Sequence, residues 1–268
     1  MSLISRNSKD LVDPAKIRLK ILLFGLPGSG KTSFVGTVPN VGIASCETGH
    51  GSGILSIAQK GVDFVEPTNY KEFEAVCSGD VFKEKSAIAV DSLSAMARTF
   101  IKDYAIANFP RARGETPKRR AGIPELDDYQ TIAELTRRLL AKLLSQDKHI
   151  IVTATLKLPQ AANPDEGKEA TPGQPDLPGQ LALASAAMFD LVMCLRHRPS
   201  LRDAKDAKTR FNQRYWLTQG NEQWVAKSRL NSAGLAVLDA EEIFDLETGA
   251  GSFPYILEKI QKAYAVQV

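Results

Sequence analysis

Cysteine and histidine are both scarce, three of each in 268 residues. Cys46, Cys77 and Cys194 are far apart and odd in number, and His50, His149 and His197 are equally scattered. No metal-ligand spacing and no disulfide framework can be drawn from them, which sets aside a zinc-centred or disulfide-stapled protein and points to a reducing cytoplasm. No apolar run reaches the ~20 residues that a membrane-spanning helix needs. The opening MSLISRNSKD also lacks the apolar core of a secretory signal, so neither a membrane partner nor export is expected. Charge of neither sign is in large excess. The net charge of +3 is too small to argue by itself for a polyanionic partner. Its placement is uneven: residues 111–120, RARGETPKRR, hold five cations against Glu115 alone, a local +4, so the rest of the chain sums to −1.

What the sequence does contain is concentrated at residues 21–32, ILLFGLPGSGKT. An apolar run leads into Gly25, four further residues, then Gly30-Lys31-Thr32. This is the phosphate-binding P-loop pattern in its expected setting, a buried strand turning into a helix. The glycines let successive backbone N–H groups point at phosphate oxygens. Gly25, Leu26, Pro27, Gly28, Ser29, Gly30, Lys31, Thr32 and Ser33 are therefore the expected nucleotide-binding residues. Lys31 would reach the β- and γ-phosphates, and Thr32 would ligate Mg2+. The expected ligand is a nucleoside triphosphate.

Along the chain, short apolar strands at about 19–24, 41–45, 86–90, 149–155 and 190–196 alternate with helical segments at about 30–37, 70–79, 92–108 and 181–188. The clearest helix has Asp127 or Asp128 as its N-cap and sets Ile132, Leu135, Leu139, Leu140, Leu143 and Leu144 on one face. Residues 109–124 form a Gly/Pro/Arg loop, and 159–180 a second long, irregular one. A hairpin is expected with strands near 211–218 and 223–228, turned at Gly220-Asn221. The alternation predicts an α/β fold with a mostly parallel sheet and helices on both faces. Residues 1–16 read as an N-terminal arm, 17–235 as the core and 236–268 as a C-terminal tail ending in a helix.

Five further features carry chemistry. Asp91 closes an apolar strand, where a carboxylate can hold Mg2+ through water; the plainer reading is a cap on the helix starting at Ser92. Glu47 follows the second strand at the carboxyl end of the sheet, where ligands bind, and could position the attacking water; otherwise it is a solvated loop residue. Thr155 ends the fourth strand, either sensing a γ-phosphate or simply filling the strand. Lys227 and Arg229 share one face by their alternate spacing and matter for catalysis only if a neighbouring subunit supplies the cation. In the basic segment, Arg111, Arg113, Lys118, Arg119 and Arg120 are either a solvated loop or a set of phosphate-backbone contacts.

The order of these elements resembles the RecA core. It is more closely similar to the short phage-encoded RecA-like ATPases of the Sak single-strand-annealing group, which lack RecA's flanking domains. GLPGSGKT (25–32), VDSLS (90–94), PELDDYQ (124–130), LPGQLA (177–182), MFDLVMCLR (188–196) and AKSRL (226–230) carry the resemblance, over residues 17–232. It implies a RecA-like P-loop NTPase core with Glu47 as the water-activating glutamate and Asp91 as the Walker B carboxylate. Lys227 and Arg229 would then complete the ATP site of the next subunit, making all of Lys31, Glu47, Asp91, Lys227 and Arg229 catalytic. Thr155 stands where RecA has a γ-phosphate-sensing glutamine, a departure from the pattern. The 109–124 and 159–180 loops fall at the two DNA-binding loops, and the 1–16 arm at a shortened oligomerising segment. The implied function is DNA-stimulated ATP hydrolysis with Mg2+ at subunit interfaces, in recombination or annealing on single-stranded DNA. The implied partners are single-stranded DNA, further copies of the chain and a single-strand-binding protein, in the host cytoplasm if a phage encodes it. Two other readings stay open: a nucleotide-gated annealing or loading factor with little turnover, and a small-molecule P-loop kinase.

Overall fold

Strands buried on both faces carry continuous rather than alternating hydrophobicity, and the apolar runs of this chain pair accordingly. The computed structural model describes residues 13, 16–47, 53–109, 123–162, 165, 169–178, 180–201, 210–232 and 234–265. Its strands are β1 (Lys20–Gly25), β2 (Val41–Ser45), β3 (Asp63–Val65), β4 (Ala87–Asp91), β5 (His149–Lys157), β6 (Gln174–Pro175), β7 (Leu191–Leu201), β8 (Arg210–Leu217), β9 (Lys227–Ser228), β10 (Asn231–Ser232), β11 (Leu235–Ala236) and β12 (Glu241–Phe244). The main sheet runs β12-β8-β7-β1-β5-β4-β2-β3. From β3 through β7 every pairing is parallel, while β8 and β12 extend the sheet in antiparallel fashion.

Helices cover both faces. On one side lie α2 (Tyr70–Cys77), α3 (Leu93–Arg98), α4 (Phe100–Asn108), α5 (Leu126–Leu144) and α6 (Leu181–Ala186). They bury Phe73, Met96, Phe100, Ile132, Leu139, Leu143 and Leu181 against Leu22, Val90 and Val152. On the other side are α1 (Lys31–Val35), a 3-10 helix at Ile54–Lys60 and α7 (Phe253–Ala265), which bury Phe34, Ile57, Phe253, Ile256 and Ile260 against Ile21, Leu23 and Met193. Each such large side chain contributes about 1.5–3 kcal/mol on burial, set against the entropy of ordering the chain. Phe34 meets Trp216 edge to face at 5.2 Å, which fixes α1 on the sheet just below the P-loop. The three cysteines are buried and unpaired, and burial pushes the Cys194 thiol up to about 12, so none is poised as a nucleophile.

Local structure departs from the sequence reading in several places. The cap of α5 is Glu125, two or three residues earlier than expected; Asp128 instead reaches back and accepts the Glu125 backbone N–H at 2.8 Å, as the third residue of a capping box does. The amphipathic stretch 92–108 breaks at Thr99 into α3 and α4. The 159–180 segment folds back on its own strand, with Leu156 opposite Pro175 and Gln160 opposite Thr171. The hairpin expected between 211–218 and 223–228 does not form. β7 has 11 residues, long enough that β8 takes its edge from Cys194 to Leu201 and leaves Leu191 and Val192 for β9. β8 and β9 are thus collinear, and 218–226 is an excursion between them; Asn221 and Trp224 do close a tight turn there. Residues 241–244 and 253–265, read from the sequence as part of a tail, supply the outer strand β12 and the helix α7.

Candidate functional site

The P-loop joins β1 to α1 at the carboxyl end of the parallel strands. Gly28 (φ 71°) and Gly30 (φ 113°) both lie in the left-handed region that side chains resist. Lys31 folds back over the loop, its Nζ donating to the carbonyls of Gly25 at 3.1 Å and Leu26 at 3.0 Å. Burial lowers its pKa, while the charges of Asp91 and Glu47 oppose that shift. One cation and two carboxylates therefore share one electrostatic environment.

Asp91 is 4% exposed and reaches the loop directly. The Thr32 hydroxyl donates to Asp91 Oδ2 at 2.6 Å, and the Thr153 hydroxyl donates to Oδ1. The capping reading of Asp91 does not hold: Ser92 caps α3, its Oγ accepting the Ala95 N–H at 3.3 Å. Thr153, buried in the middle of β5, was not singled out from the sequence, because a lone threonine in an apolar strand carries no pattern. Thr155, two residues on, pairs with Gly25, and its N–H donates to Ser94 Oγ at 3.0 Å.

Glu47 lies two residues past Ser45, which pairs with Asp91 across β2 and β4. Although it is open to solvent, its carboxyl is held above its ordinary value, first by the protein packed around it and then by the charge of Asp91, with Lys31 pulling the other way. Its Oε2 lies close to Gly53, where a Cβ would come within 3.2 Å. Ser33 sits in the short α1 after Thr32.

Lys227 and Arg229 are brought together, but away from the P-loop of their own chain. Lys227 pairs with Val192, whereas Gly25 pairs with Leu195, a displacement of about 10 Å along the sheet at 3.3 Å per residue. Lys227 Nζ donates to the Ala186 carbonyl at 2.7 Å, and Arg229 to that of Ala187. Both cations thus sit at the C-terminus of α6, where positive charge is favourable. Burial and the neighbouring Arg229 lower the Lys227 pKa, and Asp190 opposes them. Arg111, Arg113, Lys118, Arg119 and Arg120 lie outside the described residues.

A cavity of about 310 Å³ adjoins the outer side of the P-loop, lined by Leu26–Ser29, Leu156, Leu158, Leu195, Arg196, His197 and Trp224. The Arg196 guanidinium stacks 3.5 Å above the Trp224 ring. Ser29 Oγ and Arg196 Nη1 are buried without a hydrogen-bond partner. Neither Arg196 nor Trp224 stood out in the sequence.

The donor set suits Mg2+. Thr32 and Asp91 offer hard oxygens 2.6 Å apart, and no group of three His, Cys, Asp or Glu residues gathers among the described residues. Mg2+ is commonly bound through one or two protein oxygens plus water and substrate phosphate, not by an all-protein cage.

A P-loop at the end of a central parallel strand, a buried strand-end carboxylate tied to it and helices on both faces define a RecA-like P-loop NTPase fold. Residues 17–230 match the family model described as an AAA domain, and the chain belongs to that family of P-loop ATPases. No curated protein sequence matches the chain. Among solved structures it is similar to the flagellar accessory protein FlaH from Methanocaldococcus jannaschii, at 14% identity and a TM-score of 0.42, over 91% of this chain and 92% of that one. It is also similar to a KaiC-like protein from Pyrococcus horikoshii, at 12% identity and a TM-score of 0.45, over 85% of each chain. No helix among the described residues is long and apolar enough to cross a membrane.

Proposed function

We propose that the protein hydrolyses ATP with Mg2+ as a homo-oligomer on single-stranded DNA, in recombination or strand annealing. The observation that carries the hydrolytic part is the buried Asp91 carboxylate, hydrogen-bonded to Thr32 of the P-loop with the Glu47 carboxyl beside it. Loop amides from Gly28 to Thr32 hold the phosphates, and Lys31 exchanges the Gly25 and Leu26 carbonyls for β- and γ-phosphate oxygens. Thr32 and Asp91 would hold Mg2+, which would supply positive charge to the phosphate oxygens. Glu47 takes a proton from the water whose oxygen bonds to the γ-phosphorus as the bond from that phosphorus to the β–γ bridging oxygen breaks and ADP leaves. Its raised pKa makes it a better base than an ordinary carboxylate.

The DNA part of the proposal is supported by the sequence, through the local +4 of residues 111–120 in a chain otherwise near neutral. The test is ATP turnover with and without single-stranded DNA, together with oligonucleotide binding across a salt series. Turnover is expected to rise with DNA. Affinity is expected to fall steeply with salt, the log–log slope losing about 0.7 for each phosphate-contacting cation removed among Arg111, Arg113, Lys118, Arg119 and Arg120. A variant with all five neutralised that binds oligonucleotides as the wild type does would remove this segment from the proposal. On such DNA a single-strand-binding protein is the expected companion.

The oligomeric part is supported by the placement of Lys227 and Arg229, away from their own P-loop and on one face; residues 1–16 are the proposed oligomerising arm. Specific activity is expected to rise with protein concentration. Mixing Lys31→Ala with Arg229→Ala protein should restore part of the activity that each lacks alone, since some interfaces then join an intact P-loop to an intact cation. Arg229 is exposed, and its contact with the end of α6 contributes about 0.3–1 kcal/mol, so the variant is expected to stay folded. If the two proteins co-assemble and the mixture remains inactive, the cations do not act across the interface.

A further inference from the structure

Among the described residues, Arg214 on β8 carries a guanidinium that has neither a hydrogen bond nor an ion pair and lies against the phosphate loop. On β7, β8 and β12, Arg198 pairs with Glu241 at 2.6 Å, and Lys259 of α7 pairs with Glu242 at 2.7 Å. The half-buried Arg214 guanidinium makes no hydrogen bond or ion pair with the described residues. It is packed against the phosphate loop: a Cβ on Gly30 would lie 3.0 Å from Arg214 Nη1 and 3.5 Å from the Phe244 ring. Its height on the sheet is also that of the site. Arg214 pairs with His197, two residues beyond Leu195, which pairs with Gly25. A partly desolvated charge without a counter-charge is costly, and here it stands beside the residue preceding Lys31.

Building on the nucleotide-site reading above, we infer that Arg214 is a binding residue of the same subunit's site, contacting the α- and β-phosphates of the nucleotide. The strand order sets the polarity. Asp91 and Glu47, on or following β4 and β2, mark the γ-phosphate and Mg2+ end on one side of β1. Arg214, on β8, lies on the other side, beyond β7. A guanidinium is well suited to phosphate, since it stays charged and donates through a planar fork. Arg214 therefore grips the part of the ligand common to ATP and ADP. It does not act on the bond that breaks.

The experiment titrates ATP, ADP and inorganic phosphate against wild type, Arg214→Ala, Arg214→Lys and Lys31→Ala, with melting curves with and without ADP and steady-state ATP hydrolysis. Arg214→Ala is expected to weaken ATP and ADP binding alike, by about 10-fold or more for a lost charge-assisted contact. KM should rise accordingly, and kcat at saturating ATP should stay within about 2-fold, the pattern of uniform binding. Arg214→Lys should recover part of the affinity. Removing an unpaired cation should leave the melting temperature without nucleotide unchanged or higher while shrinking the rise that ADP gives; a merely structural residue would lower it. If Arg214→Ala binds ADP as wild type does while Lys31→Ala is impaired, the inference falls and the P-loop reading stands. Weakened ATP binding with unchanged ADP binding would overturn the assignment to the α- and β-phosphates. If wild type binds neither nucleotide, the nucleotide-site reading fails and this inference with it.

Discussion

Lys31→Ala protein is expected to release no measurable phosphate from ATP and to bind nucleotide weakly. The ammonium is the P-loop's own cation, held by two carbonyls at 3.0 and 3.1 Å; burial lowers its pKa, and the charges of Asp91 and Glu47 oppose that shift. A triphosphate has far more to offer it than two carbonyl dipoles. Cations aimed at the transferring phosphoryl group are worth on the order of 1,000-fold or more in rate. Folding should be little affected, because Lys31 is only half-buried and Leu26, one of its two carbonyl acceptors, is exposed to water. A malachite-green assay on the purified variant, beside its melting curve, checks this. Wild-type turnover in a correctly folded Lys31→Ala protein would refute the P-loop reading.

Glu47→Gln should give a different defect. Glutamine keeps the shape and removes both the base and a negative charge facing the phosphates, so ATP affinity should be unchanged or higher while turnover falls on the order of 100-fold or more. The acid limb of wild-type turnover should follow Glu47. Its pKa in the folded protein is raised by burial and by Asp91, so activity is retained above that value and lost as pH falls through it, at higher pH than an ordinary carboxylate would give. The variant's residual activity should lack this limb. Unchanged turnover in Glu47→Gln would take the general-base role from this residue.

The parts of this site legible in the sequence are those where a backbone requirement writes itself into residue types. Gly28 and Gly30 announce a loop because their left-handed turns favour glycine, Gly25 because a Cβ there would crowd Ser29 and Leu195, and the apolar runs before Gly25 and Asp91 announce strands buried on both faces. Tertiary placement was not legible. The second donor to Asp91, Thr153, is one hydroxyl inside HIIVTAT, visible only once β4 and β5 are side by side. Arg214, within RFNQRYWL, reads as a solvated charge on an edge strand until β12 covers that edge and sets the guanidinium against Gly30. Gly220-Asn221 lies at the start of a tight turn that Asn221 and Trp224 close, not at the turn of a hairpin, and a turn does not say which edge the following strand will take. The unused edge of β7, not the turn chemistry, decided that.

The excursion between β8 and β9 has a mechanical consequence. It carries Trp224 out of line and wedges the indole between Arg196, above its ring, and Gly173, where any side chain would collide with it. Gly173 N–H donates to the Gln223 carbonyl at 2.8 Å, and Val225 N–H to the Gly173 carbonyl at 2.9 Å, so the segment around Gly173 is stitched to the excursion on both sides of the tryptophan. The 171–175 stretch and the indole are therefore packed and hydrogen-bonded to one another. Because Arg196 lies over that indole and lines the hollow against Leu26–Ser29, unbroken packing runs from the 171–175 stretch through Trp224 and Arg196 to the phosphate loop.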